Sequence, residues 1–175
     1  LIAEFHIDQN ADLTIAPIPV DKQDAPEFGI MKVNKHNVIE TFIEKPKPDV
    51  LSNWTSPVPA PLKTKGREYL ASMGIYIFRK DALKRLFDEN PDATDFGKGI
   101  IPAAINSGYN VSSYQFDHYW TDIGNIRSFY EANLELCDNL PKFNLFDNHK
   151  RIYSRARALA PSKFFGTRLN KSIVA

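Results

Sequence analysis

The spacing of hydrophobic residues changes several times along the chain, and each spacing predicts a different element. Residues 1–9 place apolar side chains on one helical face and predict the end of a helix. The apolar, β-branched run from Leu13 to Val20 predicts a strand that is covered on both faces. Because proline lacks a backbone N–H, Pro17 and Pro19 predict that this strand frays or lies at a sheet edge toward its end.

A hairpin and a long irregular segment are predicted next. The runs "FGIMKVN" and "NVIETFIEKP" are strand-like, and Lys35 and His36 separate them, which favours two antiparallel strands. Between Pro46 and Arg67 the chain carries five prolines and little periodicity. This segment predicts a loop of unusual length, and such loops in compact domains are often functional or mobile.

Strands and helices alternate in the second half. The run "YLASMGIYIFRK" predicts a strand, and Asp81 is the predicted N-cap of the helix "ALKRLFDEN". The segment "TDFGKGIIPAAINSG" predicts a turn and a short helix that ends at Gly108. Three runs complete the pattern: "NVSSYQF" as a strand, "YWTDIG" as a strand end and "NIRSFYEANLELCDN" as a helix capped by Asn125. This alternation favours an α/β sheet with some antiparallel pairs.

The C-terminal part shows neither period clearly. From Pro141 onward the pattern predicts a linker that leaves the domain, and "TRLNKSIVA" is the predicted beginning of a second, strand-rich domain. The chain opens at Leu1 on an amphipathic pattern and ends on an apolar run. We therefore expect it to be a piece of a longer protein.

Composition narrows the class of protein. A chain of 175 residues with 43% hydrophobic and 25% charged residues is long enough for one soluble globular domain with a core. Its 22 Lys and Arg residues against 21 Asp and Glu residues give no field that would attract nucleic acid or an anionic membrane. Any anionic ligand must therefore be held by local positive charges.

Cysteine usage and hydropathy bear on the compartment. Cys137 is the only cysteine and cannot form an internal disulfide, which fits a reducing compartment such as the cytoplasm. No apolar run approaches the roughly 20 residues of a membrane span, and no signal peptide is expected. The four histidines are scattered, which argues against a zinc site, and neither a glycine-rich phosphate loop nor a GxSxG elbow occurs.

The stretch "FIEKPKP" is the first candidate binding site. Because Pro46 favours an extended backbone at Lys45, Glu44 and Lys45 would point to opposite sides of a strand end unless the chain bends there. A carboxylate that accepts from hydroxyls, beside an ammonium that meets a phosphate, makes a usable sugar-phosphate site. The alternative is an ordinary charged strand end before a proline-rich loop, and spacing alone favours that alternative.

Two further stretches carry candidate residues. In "SMGIYIF", Gly74 allows a ligand or another backbone to come close, and Tyr76 faces the same side, although core packing explains both equally well. In "HYWTDIGNIRSFY", Asp122 lies between an apolar strand and a glycine that precedes a helix, where open α/β sheets place ligand groups. The slightly favoured alternative is that Asp122 caps the helix or starts the turn.

Taken in order, five stretches closely resemble the ADP-glucose pyrophosphorylases, that is, the glucose-1-phosphate adenylyltransferases: "FGIMKV", "FIEKPKP", "LASMGIYIF", "DFGKGIIP" and "YWTDIGNIRSFYEANLEL". The resemblance extends over nearly the whole chain, including "IYSRARALAPSKF". The "EKP" and "W-x-D-x-G" motifs alone indicate the wider group of sugar-nucleotide pyrophosphorylases. The stretches "SMGIYIF", "DFGK" and "FYEANLEL" indicate the ADP-glucose branch.

The resemblance implies a fold and a set of site residues. Residues 1–148 would be the sugar-phosphate-binding, C-terminal portion of a Rossmann-like nucleotidyltransferase domain with a mixed sheet, and residues 149–175 a linker and the first coil of a left-handed parallel β-helix. Lys45 would contact the phosphate of glucose 1-phosphate, and Asp122 would be one of two carboxylates that hold the catalytic Mg²⁺. The other implied sugar-site residues are Gly29, Glu44, Ser72, Tyr76 and Trp120.

The resemblance also implies an activity. A phosphate oxygen of glucose 1-phosphate attacks the α-phosphorus of ATP and expels pyrophosphate, which makes ADP-glucose for glycogen or starch. Catalysis of this kind is mainly positioning and charge neutralisation. The resemblance also implies an allosteric homo- or hetero-tetramer. The expected location is the cytoplasm, or the plastid if the protein comes from a plant.

Two elements of the resembled family do not occur in this sequence. They are the glycine-rich loop of the type GGxGxRL and the first metal-binding aspartate, so we expect these 175 residues alone to be inactive or nearly so. Two alternatives stay open: a sister pyrophosphorylase that uses UTP, GTP or dTTP, and a non-catalytic regulatory subunit of the same family. The presence of Lys45 and Asp122 favours a catalytic chain.

Overall fold

The computed structural model describes residues 1–145, 147, 149, 152–153, 160 and 162–174. Its strands are β1 (Leu13–Val20), β2 (Gly29–Val33), β3 (Ile39–Glu44), β4 (Tyr69–Phe78) and β5 (Val111–Ser113). Its α-helices are α1 (Ile2–Asp8), α2 (Ala60–Lys63), α3 (Lys80–Glu89), α4 (Ile101–Asn106) and α5 (Ile126–Leu136). The strands form one sheet in the order β3-β2-β4-β1-β5, in which β1 and β5 are parallel and the other neighbours antiparallel. This mixed sheet confirms the predicted α/β fold class.

Strand β1 confirms what its two prolines predict. It pairs with β4 along its whole length, but with β5 only from Leu13 to Ile15. A register shift lies between Ala16 and Pro17, and the Pro17 carbonyl accepts a hydrogen bond from the Phe116 N–H at 2.9 Å on the β5 side. The regular β5 ladder has already ended there, so a missing N–H on that side costs no ladder hydrogen bond.

Hydrophobic side chains of the sheet build a cluster on each face. Ile30 and Met31 are neighbours in β2 but belong to different clusters, as do Leu70 and Ala71 in β4. This division follows from the pleat, because successive side chains of a strand point to opposite faces. Helices α3 and α4 cover the larger cluster with Leu86, Ile101 and Ala104.

The predicted hairpin is confirmed by the antiparallel pairing of β2 and β3. The side chain of Asn34 closes its turn by accepting hydrogen bonds from the backbone N–H groups of His36 and Val38, at 2.9 and 3.2 Å. The register places Gly29, the first residue of β2, opposite Glu44, the last residue of β3. Two candidate site residues are therefore neighbours across one end of the hairpin.

The long irregular segment is anchored to the sheet. It contains a single 3₁₀ turn at Leu51–Asn53 and the short helix α2, and Leu51 is fully buried. The buried hydroxyl of Ser56 accepts the Val33 N–H at 3.0 Å and donates to the Met31 carbonyl at 3.1 Å. Strand β4 pairs with β2 only at Ile30 and Met31, so Ser56 continues the hydrogen bonding of β2 beyond that point.

Replacing Ser56 by alanine is expected to lower the free energy of unfolding by about 1–3 kcal/mol, because it leaves buried backbone groups of β2 without partners. Urea unfolding of the Ser56→Ala chain measures this loss. The matched control is Ser52→Ala, since Ser52 is exposed in the same segment. Equal unfolding midpoints for the two variants would contradict the anchoring role.

Two predictions about the second half are wrong. Helix α3 begins at Lys80 with Arg79 at its N-cap, so Asp81 is not the cap but lies in the first turn, where its charge suits the positive end of the helix dipole. Residues 114–124 contain no strand, so the predicted strand end at "YWTDIG" is also wrong. After β5 the chain keeps only the hydrogen bonds that Tyr114 and Phe116 donate to β1, and then leaves the sheet.

The predicted end of α4 at Gly108 and the predicted cap of α5 at Asn125 are both confirmed. Gly108 follows α4 with a φ of 76°, and the Asn125 side chain caps α5 by accepting the Ser128 N–H at 2.8 Å.

The chain divides into two compact units, residues 1–117 and residues 118–175. The first unit contains the sheet, and α5 belongs to the second. Residues 162–174 contain neither helix nor strand, while much of the predicted linker lies outside the described residues. The division at residue 148 and the β-helix coil remain predictions. Among the helices that the structure describes, none has the length and apolar character needed to cross a membrane.

Candidate active site

The carboxylate of Glu44 lies between two glycines. A Cβ atom placed on Gly29, its partner across the hairpin, would lie 2.7 Å from Oε2 of Glu44 and would also overlap the Phe42 ring. A Cβ atom on Gly97 would lie 2.5 Å from the same oxygen. Both backbones thus approach the carboxylate more closely than any other residue type would allow.

Glu44 is only partly exposed, yet its carboxylate accepts no hydrogen bond from any residue that the structure describes. Burial raises the pKa of Glu44, and the nearby Asp95 carboxylate raises it further, while Lys45 and Lys98 act in the opposite direction. A carboxylate that is partly desolvated usually has a hydrogen-bonding partner. The arrangement therefore suits an acceptor whose donors come from a ligand.

The chain bends at Lys45, immediately after β3. Lys45 has a φ of 47°, in the left-handed region that non-glycine residues rarely adopt, and its N–H donates to the Phe28 carbonyl at 3.0 Å. The following Pro46 is buried, whereas Lys45 is exposed and forms no salt bridge with the described residues. The extended backbone that Pro46 favours at Lys45 is therefore not what the structure shows, because the chain bends there. Glu44 and Lys45 do not follow the alternation of a straight strand.

A bulge in β4 brings Ser72 and Tyr76 together. Ala16 of β1 pairs with Ile75 and Pro17 with Ser72, so Met73 and Gly74 are extra residues on β4. In a regular strand two residues four apart are separated by about 13 Å. Here the Ser72 hydroxyl lies 3.3 Å from the Tyr76 hydroxyl and also 3.3 Å from the Gly74 N–H, which donates to it.

Gly74 therefore has a conformational role. Its φ is 71°, and a Cβ atom placed on it would meet nothing within 4 Å. No other backbone comes close to Gly74, so that part of the sequence-based interpretation is wrong, while the approach of a ligand stays a prediction. The bulge needs the left-handed conformation, which glycine adopts without steric strain.

Tyr76 connects the bulge to the carboxylates. Burial raises the pKa of the Tyr76 hydroxyl, the hydrogen bond with Ser72 lowers it, and the charges of Glu44 and Asp95 raise it. Its ring packs against that of Phe96, with centroids 5.7 Å apart. The structure thus groups five of the candidate residues within the first unit: Gly29, Glu44, Lys45, Ser72 and Tyr76.

The turn at Phe96–Ile100 adds residues that the sequence analysis did not place in the site. Asp95 caps this π-helical turn, since its Oδ1 accepts the Lys98 N–H at 2.8 Å, and Gly97 is buried next to Glu44. The stretch "DFGKGIIP" predicts a turn before a short helix and carries part of the resemblance, but it indicates no site residue by itself. The available signal was an aspartate before two closely spaced glycines, but it does not say which strand the turn contacts.

Trp120 and Asp122 belong to the second unit. Trp120 is partly buried, and Asp122 is exposed. Oδ2 of Asp122 accepts the Gly124 N–H at 3.2 Å, so Asp122 takes part in a local turn just before α5, as one of the two sequence-based interpretations predicts. The role of Asp122 as a metal ligand stays a prediction.

The donor chemistry of Asp122 fits one ligand of Mg²⁺, which prefers carboxylate oxygens and is usually held by one or two of them. No group of three or more His, Cys, Asp and Glu residues suited to a metal occurs in the part of the chain that the structure describes. An exposed single carboxylate is compatible with a metal that takes its remaining ligands from water and substrate phosphates.

The mixed sheet thus carries two carboxylates, Glu44 and Asp95, and two ammonium groups, Lys45 and Lys98, near the open end of its hairpin. A model of the nucleotidyl transferase family matches residues 2–139. The chain therefore belongs to the nucleotidyl transferase family.

Proposed function

We propose that this chain supplies the sugar-phosphate site of a sugar-nucleotide pyrophosphorylase that makes ADP-glucose and pyrophosphate from ATP and glucose 1-phosphate. The observation that carries the proposal is the Glu44 carboxylate, which lies between Gly29 and Gly97 without a hydrogen-bond donor from the described residues and is followed by the exposed ammonium group of Lys45. Sugar hydroxyls are donors for such a carboxylate, and an ammonium group neutralises a phosphate.

The proposed roles follow from this chemistry. Glu44 accepts hydrogen bonds from hydroxyls of the glucose ring. Lys45 binds the phosphate and neutralises part of its charge while a phosphate oxygen acts as the nucleophile. Ser72 and Tyr76, which are hydrogen-bonded to each other, would contact the sugar. Trp120 stays a sugar-site residue that the resemblance implies. Asp122 would be a ligand of Mg²⁺, and the metal, when bound, would neutralise charge on the nucleotide phosphates.

Titration of the chain with glucose 1-phosphate, followed by NMR, tests the proposal. We expect the signals of Lys45 and Tyr76 to shift, and we expect glucose 6-phosphate, which has the same charge but its phosphate at the other end of the sugar, to shift them less. Absence of binding at millimolar glucose 1-phosphate would contradict the proposed site in this chain.

The metal role of Asp122 has a separate test. Mn²⁺ is a paramagnetic substitute that takes similar oxygen ligands. We expect it to broaden the signals of residues next to Asp122, and we expect Asp122→Asn to weaken this effect. Asp117→Asn is the comparison, because it removes a nearby carboxylate of the same type.

The choice of ATP and the oligomeric assembly are further parts of the proposal. The support is the resemblance of "SMGIYIF", "DFGK" and "FYEANLEL" to the ADP-glucose branch. We propose an allosteric homo- or hetero-tetramer in the cytoplasm or a plastid, with these 175 residues inactive alone. Assays of a longer protein with ATP, UTP, GTP and dTTP would separate this activity from that of a sister enzyme, and turnover with none of the four would favour a regulatory subunit.

A further inference from the structure

We infer that Gly97 is a positioning residue of the sugar site, because its lack of a side chain leaves the space that the Glu44 carboxylate occupies. This inference rests on the proposed function, in which Glu44 binds the sugar. The Phe96–Ile100 turn then determines where the Glu44 carboxylate accepts hydrogen bonds, although Gly97 has no side chain that could bind a ligand.

The contact between Gly97 and Glu44 is closer than a side chain permits. A Cβ atom on Gly97 would lie 2.5 Å from Oε2 and 3.1 Å from Cδ of Glu44. Carbon and oxygen atoms that are not bonded do not approach to that distance without a strong steric penalty. An alanine at position 97 therefore requires the carboxylate or the turn to move.

The turn is the more firmly held of the two. Asp95 caps it through the Lys98 N–H at 2.8 Å, and Ile100 at its end is buried in the larger hydrophobic cluster. The Glu44 carboxylate has no hydrogen bond from the described residues to hold it in place. We therefore expect the side chain of Glu44 to be displaced by an alanine at position 97.

Backbone strain does not explain the glycine at position 97. The glycines with positive φ are Gly66, Gly74, Gly108 and Gly166, and Gly97 is not among them. An alanine at position 97 is thus compatible with the backbone, and its main conflict is with Glu44. Gly97 differs in this respect from Gly74, where the positive φ itself requires glycine.

The expected result for Gly97→Ala is about tenfold weaker binding of glucose 1-phosphate, because a binding group must be held to within about 0.5 Å to keep its hydrogen bonds. The measurement is the dissociation constant of the full chain by calorimetry. Binding of inorganic phosphate, which needs Lys45 but not Glu44, is expected to stay unchanged. A uniform loss for both ligands would indicate general disruption and would overturn the positioning role.

Gly99→Ala is the matched control. Gly99 lies in the same turn, and a Cβ atom there would meet the Ala93 side chain at 2.8 Å instead of Glu44. This variant therefore also crowds the turn, but it should bind glucose 1-phosphate as the unmodified chain does. Equal losses of sugar affinity in the two variants would show that the packing of the turn matters and the contact with Glu44 does not.

A stability cycle tests the contact without any ligand. Gly97→Ala should lower the unfolding midpoint in the unmodified chain, and it should do so less when Glu44→Ala has removed the group it meets. Equal effects in both backgrounds would overturn the inference.

Failure of the positioning role can be distinguished from failure of the proposed function. If the unmodified chain binds no glucose 1-phosphate, the proposed function is wrong, and so is the role of Gly97 in sugar binding. If the chain binds glucose 1-phosphate and Gly97→Ala does not weaken that binding, only the positioning role is wrong.

Discussion

Replacing Lys45 by alanine is expected to weaken the binding of glucose 1-phosphate by about 10- to 100-fold, because it removes one charge-assisted hydrogen bond to the phosphate. Replacing it by glycine should weaken binding equally. The two variants should differ in stability, since Lys45 has a φ of 47° just before a proline and alanine keeps the cost of that conformation. Such a conformation costs about 1–3 kcal/mol for a non-glycine residue.

Glycine relieves that cost but makes the unfolded chain more flexible, which takes back about 0.5–1 kcal/mol. The Lys45→Gly chain should therefore be about 1 kcal/mol more stable than the Lys45→Ala chain. Calorimetry with glucose 1-phosphate and urea unfolding provide the two measurements. Lys47→Ala is the control, because Lys47 is an exposed lysine in the same proline-rich stretch. A loss of affinity for Lys47→Ala as large as for Lys45→Ala would show that the phosphate responds only to the local positive charge.

The main elements of the fold could be predicted because they depend on local patterns. The β-branched run of β1 and the two runs of the hairpin have the periodicity of strands, and their predicted positions are confirmed. Aspartate is common at N-caps, which predicts Asp81 as the cap, but the helix begins two residues earlier, with Arg79 as its cap. Propensity indicates that a helix starts nearby and does not fix the residue.

The candidate site could be predicted only where it is local. Glu44 and Lys45 are adjacent in sequence, so the sequence alone predicts a carboxylate next to an ammonium group. The contact of Glu44 with Gly97 joins residues more than fifty positions apart and depends on how the turn before α4 packs beside β3. The contact of Ser72 with Tyr76 depends on a bulge, which the alternation of a strand does not reveal. The spacing of hydrophobic and polar residues encodes neither long-range packing nor backbone irregularity, so neither of these two contacts could be predicted from it.

Asp122 shows why one residue can fit two interpretations. A carboxylate before a glycine and a helix is well placed both for a turn and for a ligand, and the hydrogen bond to Gly124 accounts for the turn. That bond engages Oδ2, and a carboxylate has lone pairs on both oxygens, so the turn and a metal are chemically compatible.

Replacing Glu44 by glutamine is expected to have opposite effects on binding and on stability. Glutamine keeps one acceptor oxygen but loses the charge, so glucose 1-phosphate should bind about tenfold more weakly. Burial and the Asp95 carboxylate raise the pKa of Glu44, which means that the folded chain disfavours its charged form. At pH 7 the Glu44→Gln chain should therefore resist urea better than the unmodified chain.

The pH dependence of this gain follows from proton linkage. Between the ordinary value of 4.5 and the raised pKa of the folded state, the folded chain binds more protons at Glu44 than the unfolded chain does, so the unmodified chain loses stability as the pH rises through that window. Below 4.5 the carboxyl group is protonated in both states and the penalty disappears. The difference in unfolding midpoint between Glu44→Gln and the unmodified chain should thus be present at pH 7, shrink as the pH falls from the raised pKa toward 4.5, and be absent well below 4.5.

Glu40→Gln provides the reference, because Glu40 is an exposed residue of the same strand. Its unfolding midpoint and its affinity for glucose 1-phosphate should match those of the unmodified chain at pH 7. A Glu44→Gln chain that is less stable at pH 7 would mean that the carboxylate is stabilised by the fold itself. Stability gained together with sugar affinity lost is the result expected of a group that is held in an unfavourable environment for the sake of a ligand.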